Sequence, residues 1–428
     1  MSAPEPALKN NTRPYLGLVL LTGLNLLNYM DRYVLASVVP PLKNELELSD
    51  AQIGWLTSAF MIGYFATSPV FGYLGDRWQR KGLIAFGIVF WSLGTLLSGF
   101  SYQYWTLLGC RVLVGLGEAS YAVLAPAWLS DLFPAERRNN ALTVFYGAIP
   151  LGSALGYIIG GFALEHGGWR TGFFWAGAPG LLLVLALLTL TEPARGAQDE
   201  GAADTKLVSK ADPSTIVSLF RIANFNLILL GLTAHTFVLG AFAAWGPTFL
   251  NRVHGLELAS ADRFFGGALV IGGLLGTLIG GFAATAWRRE SRAGYAMLLT
   301  LAAAMTVLFA TLALAGTGTT MSMACIGVAI FLAFLPTGPI NTLIIETVPI
   351  ALRASAMAAS IFVIHLFGDF WSPVLIGRLA DWGYQPDRPG VGLQQAMLVL
   401  PAVLSFAVLF WGWLAWRQRA GEQMRTAP

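Results

Sequence analysis

The sequence predicts an all-α integral membrane protein of twelve transmembrane helices arranged as two pseudo-symmetric six-helix bundles, and three observations predict it. First, 56% of the 428 residues are hydrophobic and 11% are charged, with a mean hydropathy of +0.63; soluble domains carry about 25% charged residues. Second, apolar stretches of the roughly 20 residues needed to cross a bilayer as a helix recur along the whole chain. Third, features of the first half return in the second. The net charge of +3 is too small to point to a nucleic-acid partner. Cys110 and Cys325 both lie in apolar stretches. No disulfide framework, metal site or cofactor is therefore expected.

Taken in order, the spans fall at about 15–40, 51–74, 82–100, 103–131, 139–163, 171–190, 223–250, 261–286, 293–315, 319–347, 354–379 and 392–416, separated by polar or turn-rich breaks. Lys9 and Arg13 precede the first span without a short apolar region and cleavage site, so that span reads as retained. Ser49 and Gln52 have capping-box spacing and open the second span. Residues 191–222, rich in Ala, Asp, Lys and Gly, form the one substantial polar break. It reads as a flexible linker with a short interfacial helix from Pro213 to Arg221. The expected organisation is a tail at 1–14, a bundle at 15–190, the linker at 191–222, a bundle at 223–416 and a tail at 417–428. Breaks on the N-terminal side hold Arg77, Arg80, Lys81, Arg137, Arg138, Arg288, Arg289, Arg292 and Arg353 among others; the opposite breaks hold Lys43, Arg170, Arg252, Arg263 and Arg388. Basic residues collect on the cytoplasmic side, which puts both termini there, in a cell's inner (plasma) membrane.

The repeat is visible in residues. Asp131-Leu-Phe-Pro134, with Arg138 and Ala141, follows the fourth span; Glu346-Thr-Val-Pro349, with Arg353 and Ala356, follows the tenth, displaced by 215 residues at each position. Gly72 and Arg80 answer in the same way to Gly281 and Arg289. Two like halves can rock about a site near the membrane midplane.

The first span carries Asn25-Leu-Leu-Asn28-Tyr-Met-Asp31-Arg32. An Asp or Arg inside a membrane helix costs about 2.5–3.5 kcal/mol on insertion scales, so such residues face protein or a water-filled cavity. Asn28 shares a face with Asp31 and Arg32. Neighbours in sequence do not face each other on a helix, so Asp31 is expected to pair with another helix rather than with Arg32. In the fourth span, Arg111 lies about 12 Å from one end and Asp31 about 14 Å from the same end of its own span. Their matching levels make Arg111 the expected partner of Asp31. Glu118 lies on the same face, about 10 Å deeper, with no cation evident within reach. Desolvation without a partner favours the protonated carboxyl, which makes Glu118 the first choice of proton carrier and Asp31 the second. All three are expected to face a central opening. A clip between helices, or a neutral Glu118 with a packing role, are the alternatives.

Other motifs fill in the cycle. Gly72-Tyr-Leu-Gly75-Asp76-Arg77-Trp-Gln-Arg80-Lys81 follows the second span and resembles the loop signature of the major facilitator superfamily, with Gln79 where Gly is usual. Gly72 and Gly75 admit a close helix, Asp76 is placed for a helix N-terminus, and Arg80 for Asp131. These contacts are expected to form when the cytoplasmic side closes, with Asp131 and Glu346 as gate or capping residues. In the second copy Thr285 and Ala286 stand where Asp and Arg would, so any latch is asymmetric. The fifth span, from Tyr146 through Pro150, Gly152 and Gly156 to Gly160 and Gly161, combines a bend with tight contacts. In the eleventh, His365 and Asp369 stand four apart on one face. His235 and Asn341 are read as packing residues.

Asn28-Tyr-Met-Asp31-Arg32, the Gly72–Lys81 loop, Gly115-Leu-Gly117-Glu118-Ala-Ser120-Tyr121, Phe145-Tyr146-Gly-Ala-Ile-Pro150 and His365-Leu-Phe-Gly368-Asp369 with Ser372-Pro373 together resemble the Spinster branch of the major facilitator superfamily, over the whole chain. The resemblance implies the major facilitator fold and transport of lysolipid- or sphingolipid-like amphiphiles. The family's polar residues in the first and fourth spans fall on Asp31, Arg32, Arg111 and Glu118. The first-span string also resembles organic-anion:proton symporters, so it does not by itself select the substrate. The expectation is a monomeric, proton-coupled transporter working by alternating access among membrane lipids. Arg32 and Arg111 would attract an anionic head group, Tyr121 and Tyr146 would accommodate a lipid-like tail, and Asn28, His365 and Asp369 are the other expected substrate-binding residues. Organic-anion:proton symport and proton-independent lipid scrambling are the other readings. No Ser–His–Asp arrangement, metal cluster or phosphate-cradling loop supports an enzyme.

Overall fold

The computed structural model describes residues 13–75, 77–194, 197, 218–316, 318–348 and 353–426. Among them the long helices fall into twelve spans. The first six are Pro14–Ser37, Asp50–Gly75, Arg80–Gly99, Tyr104–Leu132, Ala135–His166 and Trp169–Leu188. The seventh is Ala223–His254, and the eighth joins Leu258–Ala268 through a π-helical turn, Leu269–Gly273, to Leu274–Glu290. Gly294–Ala315 is the ninth, and Thr319–Phe334 with Thr337–Thr347 the tenth. The eleventh runs Arg353–Ile364, a π-helical His365–Asp369 and Ser372–Trp382; the twelfth is Val391–Met397 and Val399–Thr426. Ten of these are long and apolar enough to cross a membrane by length and composition. The first and second, 24 and 26 residues long, complete the set. The expected interfacial helix from Pro213 falls mostly outside the described residues.

Local chemistry explains the ends. The first span stops at Ser37, short of the expected 40, because prolines begin a separate short helix, Val39–Glu45; a proline lacks the N–H a helix interior needs and suits a first turn. The second span opens on the expected capping box. Ser49 N–H donates to Gln52 Oε1 at 2.8 Å, and Gln52 N–H to Ser49 Oγ at 3.1 Å.

Hydrocarbon gives helices no hydrophobic reason to associate, so close backbone packing through small residues holds them. Where the second and fourth spans cross, a Cβ on Gly115 would collide with the Phe60 carbonyl oxygen, and one on Gly63 with that of Val112. The fifth span lies against the first in the same way, through Gly152, Gly156 and Gly160 on Leu26, Met30 and Ser37.

Among the described residues, polar contacts between the halves gather at the end that carries Asp50. The Asp381 carboxylate, closing the eleventh span, accepts the N–H groups of Asp50 and Ala51 at 2.7 Å each. It thereby caps the second span from across the interface. Arg252 of the seventh span donates to both Asp50 oxygens at 2.8 and 2.9 Å, and Lys43 binds Asp50 at 2.6 Å. Tyr157 donates to the Ala243 carbonyl at 2.5 Å, and Arg263 meets Glu165 at 2.5 Å. Behind this seal, the Glu45 carboxyl is held below its usual range, chiefly by the Trp169 indole N–H and then by Arg170. Removing a helix cap costs about 1 kcal/mol. Asp381→Ala is therefore expected to speed amide hydrogen exchange at Asp50 and Ala51 about fivefold. Unchanged exchange there would show that the seal does not depend on this cap.

Candidate functional site

The polar face of the first span meets the second, third and fourth spans. Asp31 is 1% exposed, and Arg111 Nη1 lies 3.6 Å from its Oδ1. The partner read from depth alone is the one the fold supplies. That separation is an ion pair longer than a hydrogen bond, and among the described residues Arg111 Nε and Nη1 have no hydrogen-bond partner. Thr95 of the third span donates to Asp31 Oδ2. Nothing in the sequence distinguished Thr95 from the hydroxyls that bond back to their own helix, and its Oγ1 also lies 3.0 Å from the Trp91 carbonyl, an alternative acceptor for the same proton.

Two expectations about Glu118 need correction. It does have a cation: Arg32 Nη2 lies 2.6 Å and Nε 2.7 Å from Glu118 Oε2. Helix side chains lean toward their own N-terminus, so the long Arg32 side chain is carried back along the first span to the level of Glu118. Depth measured at Cα missed that reach. Nor does Glu118 face the opening. Asp31, Arg111 and Glu118 are 0–1% exposed and do not line the central cavity. They stand one layer behind its wall, and Arg32 connects Glu118 to the opening.

The cavity has two compartments. One, of about 300 Å3, lies between the halves, walled by Tyr29, Arg32 and Tyr157 on one side and by Phe242, Phe265, Ile330, Phe334, His365 and Asp369 on the other. The other, of about 100 Å3, is lined by Asn25, Asn28, Arg32, Tyr121, Tyr146 and His365. Asn28, Arg32, Tyr146, His365 and Asp369 thus line an opening. Arg111 does not, since its guanidinium sits 5.9 Å from the Phe60 ring, whose surroundings also hold the Arg32 guanidinium at 4.9 Å. Tyr29 and Tyr64 also stack near Arg32, at 4.9 and 5.9 Å. Sequence reasoning missed Phe60 and Tyr64 because aromatics four apart in an apolar helix read as packing. Tyr121 is fully buried with its hydroxyl committed to the Leu21 carbonyl, so only its ring is available to a ligand. His365 Nδ1 lies 2.9 and 3.1 Å from the Asp369 oxygens across the π-helical turn. His235 is buried beside Trp411, and Asn341 is exposed and bonds to the Thr337 carbonyl.

At the basic end Arg80 Nη2 meets Asp131 Oδ2 at 2.5 Å, and its backbone N–H meets Glu192 Oε1 at 3.0 Å. Arg80 and Asp131 belong to the first half, and Glu192 opens the linker that follows it. The pair itself lies between the third and fourth spans. Gly75 packs on Leu124, whereas among the described residues a Cβ on Gly72 would meet nothing within 4 Å. Arg77 is exposed and folds over the Tyr73 ring at 3.6 Å. Asp76 lies outside the described residues. In the second half, the cation on Glu346 is Arg288, at 2.9 Å, one residue before the position the repeat indicates. That pair is exposed where Arg80–Asp131 is buried, an asymmetry of the two copies.

Residues 21–373 match the Major Facilitator Superfamily. The chain is 37% identical over 380 residues to protein spinster homolog 1 of Xenopus laevis, covering 85% of this chain and 72% of that one. It is 33% identical over 390 residues to the sphingosine-1-phosphate transporter SPNS2 of Danio rerio, covering 86% and 76%. Its fold matches a crystal structure of a bacterial homolog to the human lysosomal transporter Spinster, in an inward-facing and unoccupied conformation. That match has a TM-score of 0.86 at 24% identity and covers 96% and 99% of the two chains. Twelve spans, charges buried between them and these matches lead to one assignment: the chain belongs to the Spinster family of the Major Facilitator Superfamily, and is a multi-pass membrane transporter rather than an enzyme.

Proposed function

We propose that this transporter carries an anionic, lipid-like amphiphile together with protons by alternating access, and that Arg32 is the shared element of the coupling. One observation carries this reading: Arg32 stands at the wall of both compartments while its guanidinium holds the buried Glu118. An anionic head group in the cavity competes with Glu118 for that guanidinium. When Arg32 turns to the substrate, Glu118 is left as a carboxylate in a dry site, where the neutral form is strongly preferred. Protonation of Glu118 in turn frees Arg32. Linkage is reciprocal, so anion and proton bind together and leave together, which is the order of events in symport. Asp31 with Arg111 sets the field behind this pair and is the second proton site.

The larger compartment supports an amphiphile, since its wall opposite Arg32 is mostly apolar and aromatic, with room for part of a chain. The named substrate of the Danio rerio relative, a lipid phosphate, has the same combination of anionic head and apolar tail. On this reading the bundles 15–190 and 223–416 rock about the cavity, with the Asp50 end sealed here and the basic end, with both termini, on the cytoplasmic side. Arg80 with Asp131, and Arg288 with Glu346, stiffen the basic ends of the two halves.

Reconstituted liposomes under an imposed pH gradient test the proposal. A lysophospholipid is expected to accumulate with the gradient and to carry protons with it. Uptake of small carboxylates but not of lysophospholipid would favour an organic-anion symporter. Equal lipid movement with and without the gradient would favour a scramblase.

A further inference from the structure

Asp262 lies one turn into the eighth span, about 6 Å from its start. It is fully buried, and among the described residues neither carboxyl oxygen has a hydrogen-bond partner. Its side chain is pressed against the fifth span, where a Cβ on Gly161 would lie 3.1 Å from Asp262 Cβ. This is the face on which the two halves meet. Asp31 and Glu118 each have a guanidinium; Asp262 forms no ion pair among the described residues.

The groups around it do not compensate. Arg263, the next residue, is half exposed and turned to Glu165 at 2.5 Å and to Ser260 Oγ at 3.0 Å. Glu257 lies at the start of the same span, and Ser260 donates to it. From the fifth span comes Tyr157, whose hydroxyl goes to Ala243. Tyr33 of the first span lies behind the Tyr157 ring. The seventh span brings Arg252, committed to Asp50, and His254, against Phe249. The facing part of the tenth span, Thr319–Phe334, has no charged residue.

We propose that Asp262 is a protonation site of the Asp50 end, whose carboxyl holds a proton while the fifth and eighth spans are packed and releases it when they part. An ionised carboxylate without donors is not tolerated in such a place, whereas parting the spans gives it water. The closed form therefore binds one more proton than the open form. Raising the pH on that side favours opening, by about tenfold per pH unit for one proton. This proton enters and leaves from one side, so it biases the cycle and does not travel with the substrate. The inference rests on the alternating-access reading only in that the halves must separate; it is independent of Glu118.

The test uses the full-length protein in liposomes, with Cys110→Ser, Cys325→Ser, His166→Cys and Glu257→Cys to place spin labels on the ends of the fifth and eighth spans. The open fraction is expected to rise with pH both with native Glu118 and with Glu118→Gln. Asp262→Asn, or Asp262→Ser should Asn disrupt the packing, abolishes that response and leaves the end closed, and Asp262→Glu restores it. A pH response that survives Asp262→Asn, or that disappears with Glu118→Gln, overturns the proposal. So does an end that opens independently of pH, which leaves alternating access intact. Labels that never separate at any pH, with or without lysophospholipid, overturn both.

Discussion

Glu118→Gln is expected to abolish pH-driven accumulation while leaving exchange of substrate across the membrane intact. The carboxylate that Arg32 holds at 2.6 Å becomes a neutral amide. Two consequences follow from that change. No proton can bind at this position, so the gradient has nothing to act on. Arg32 also loses a charge-assisted hydrogen bond, a type worth about 1.5–3 kcal/mol, and is freed toward the cavity. Substrate should then bind about tenfold more tightly at neutral pH, the lower end of that range. Counterflow in the absence of a gradient should persist, with a lower half-saturation concentration. A variant that still accumulates substrate against the gradient as the parent does would remove Glu118 from the coupling. One that loses counterflow as well would assign Glu118 to holding the fold.

Asp31→Asn should lower stability sharply. Arg111 is 1% exposed, and among the described residues two of its three guanidinium nitrogens have no hydrogen-bond partner, so the negative charge of Asp31 is its main compensation. Breaking a buried pair by removing one partner costs about 3–5 kcal/mol. Replacing both partners by neutral groups of similar size is often close to neutral. Asp31→Asn combined with Arg111→Met is therefore expected to recover most of the loss, and unfolding in detergent across the four proteins of the cycle measures the coupling directly. Thermal stability like the parent's in the single variant, with normal transport, would mean that the 3.6 Å pair is not what holds Arg111 in place.

What could be read from the chain alone was what depends on local chemistry and on depth. Span positions follow from hydropathy, which is a sum over neighbours. The Ser49–Gln52 cap involves residues three apart. The Asp31–Arg111 pair could be matched because a helix converts residue count into depth at a fixed rise. The glycines of the fifth span announced a tight contact, though not that the first span would fill it.

The rest was decided in three dimensions. Arg32 reaches Glu118 because a long side chain leans about a turn along its helix, a displacement that a Cα position does not contain. Phe60 and Tyr64 matter only because the crossing at Gly115 brings them against Arg32, and in sequence they are two aromatics among many. The Asp50–Asp381 seal joins residues 331 apart, whose approach depends on how the halves are tilted in this state. Sequence by itself settled that there is a membrane-spanning, twofold-repeated bundle with ionisable groups inside it, because burying charge in lipid is too costly to be accidental. Only the tertiary structure decided which charge faces the cavity and which stands behind it. That distinction rests on side-chain direction and on the angle between helices, and neither is written in the order of the residues.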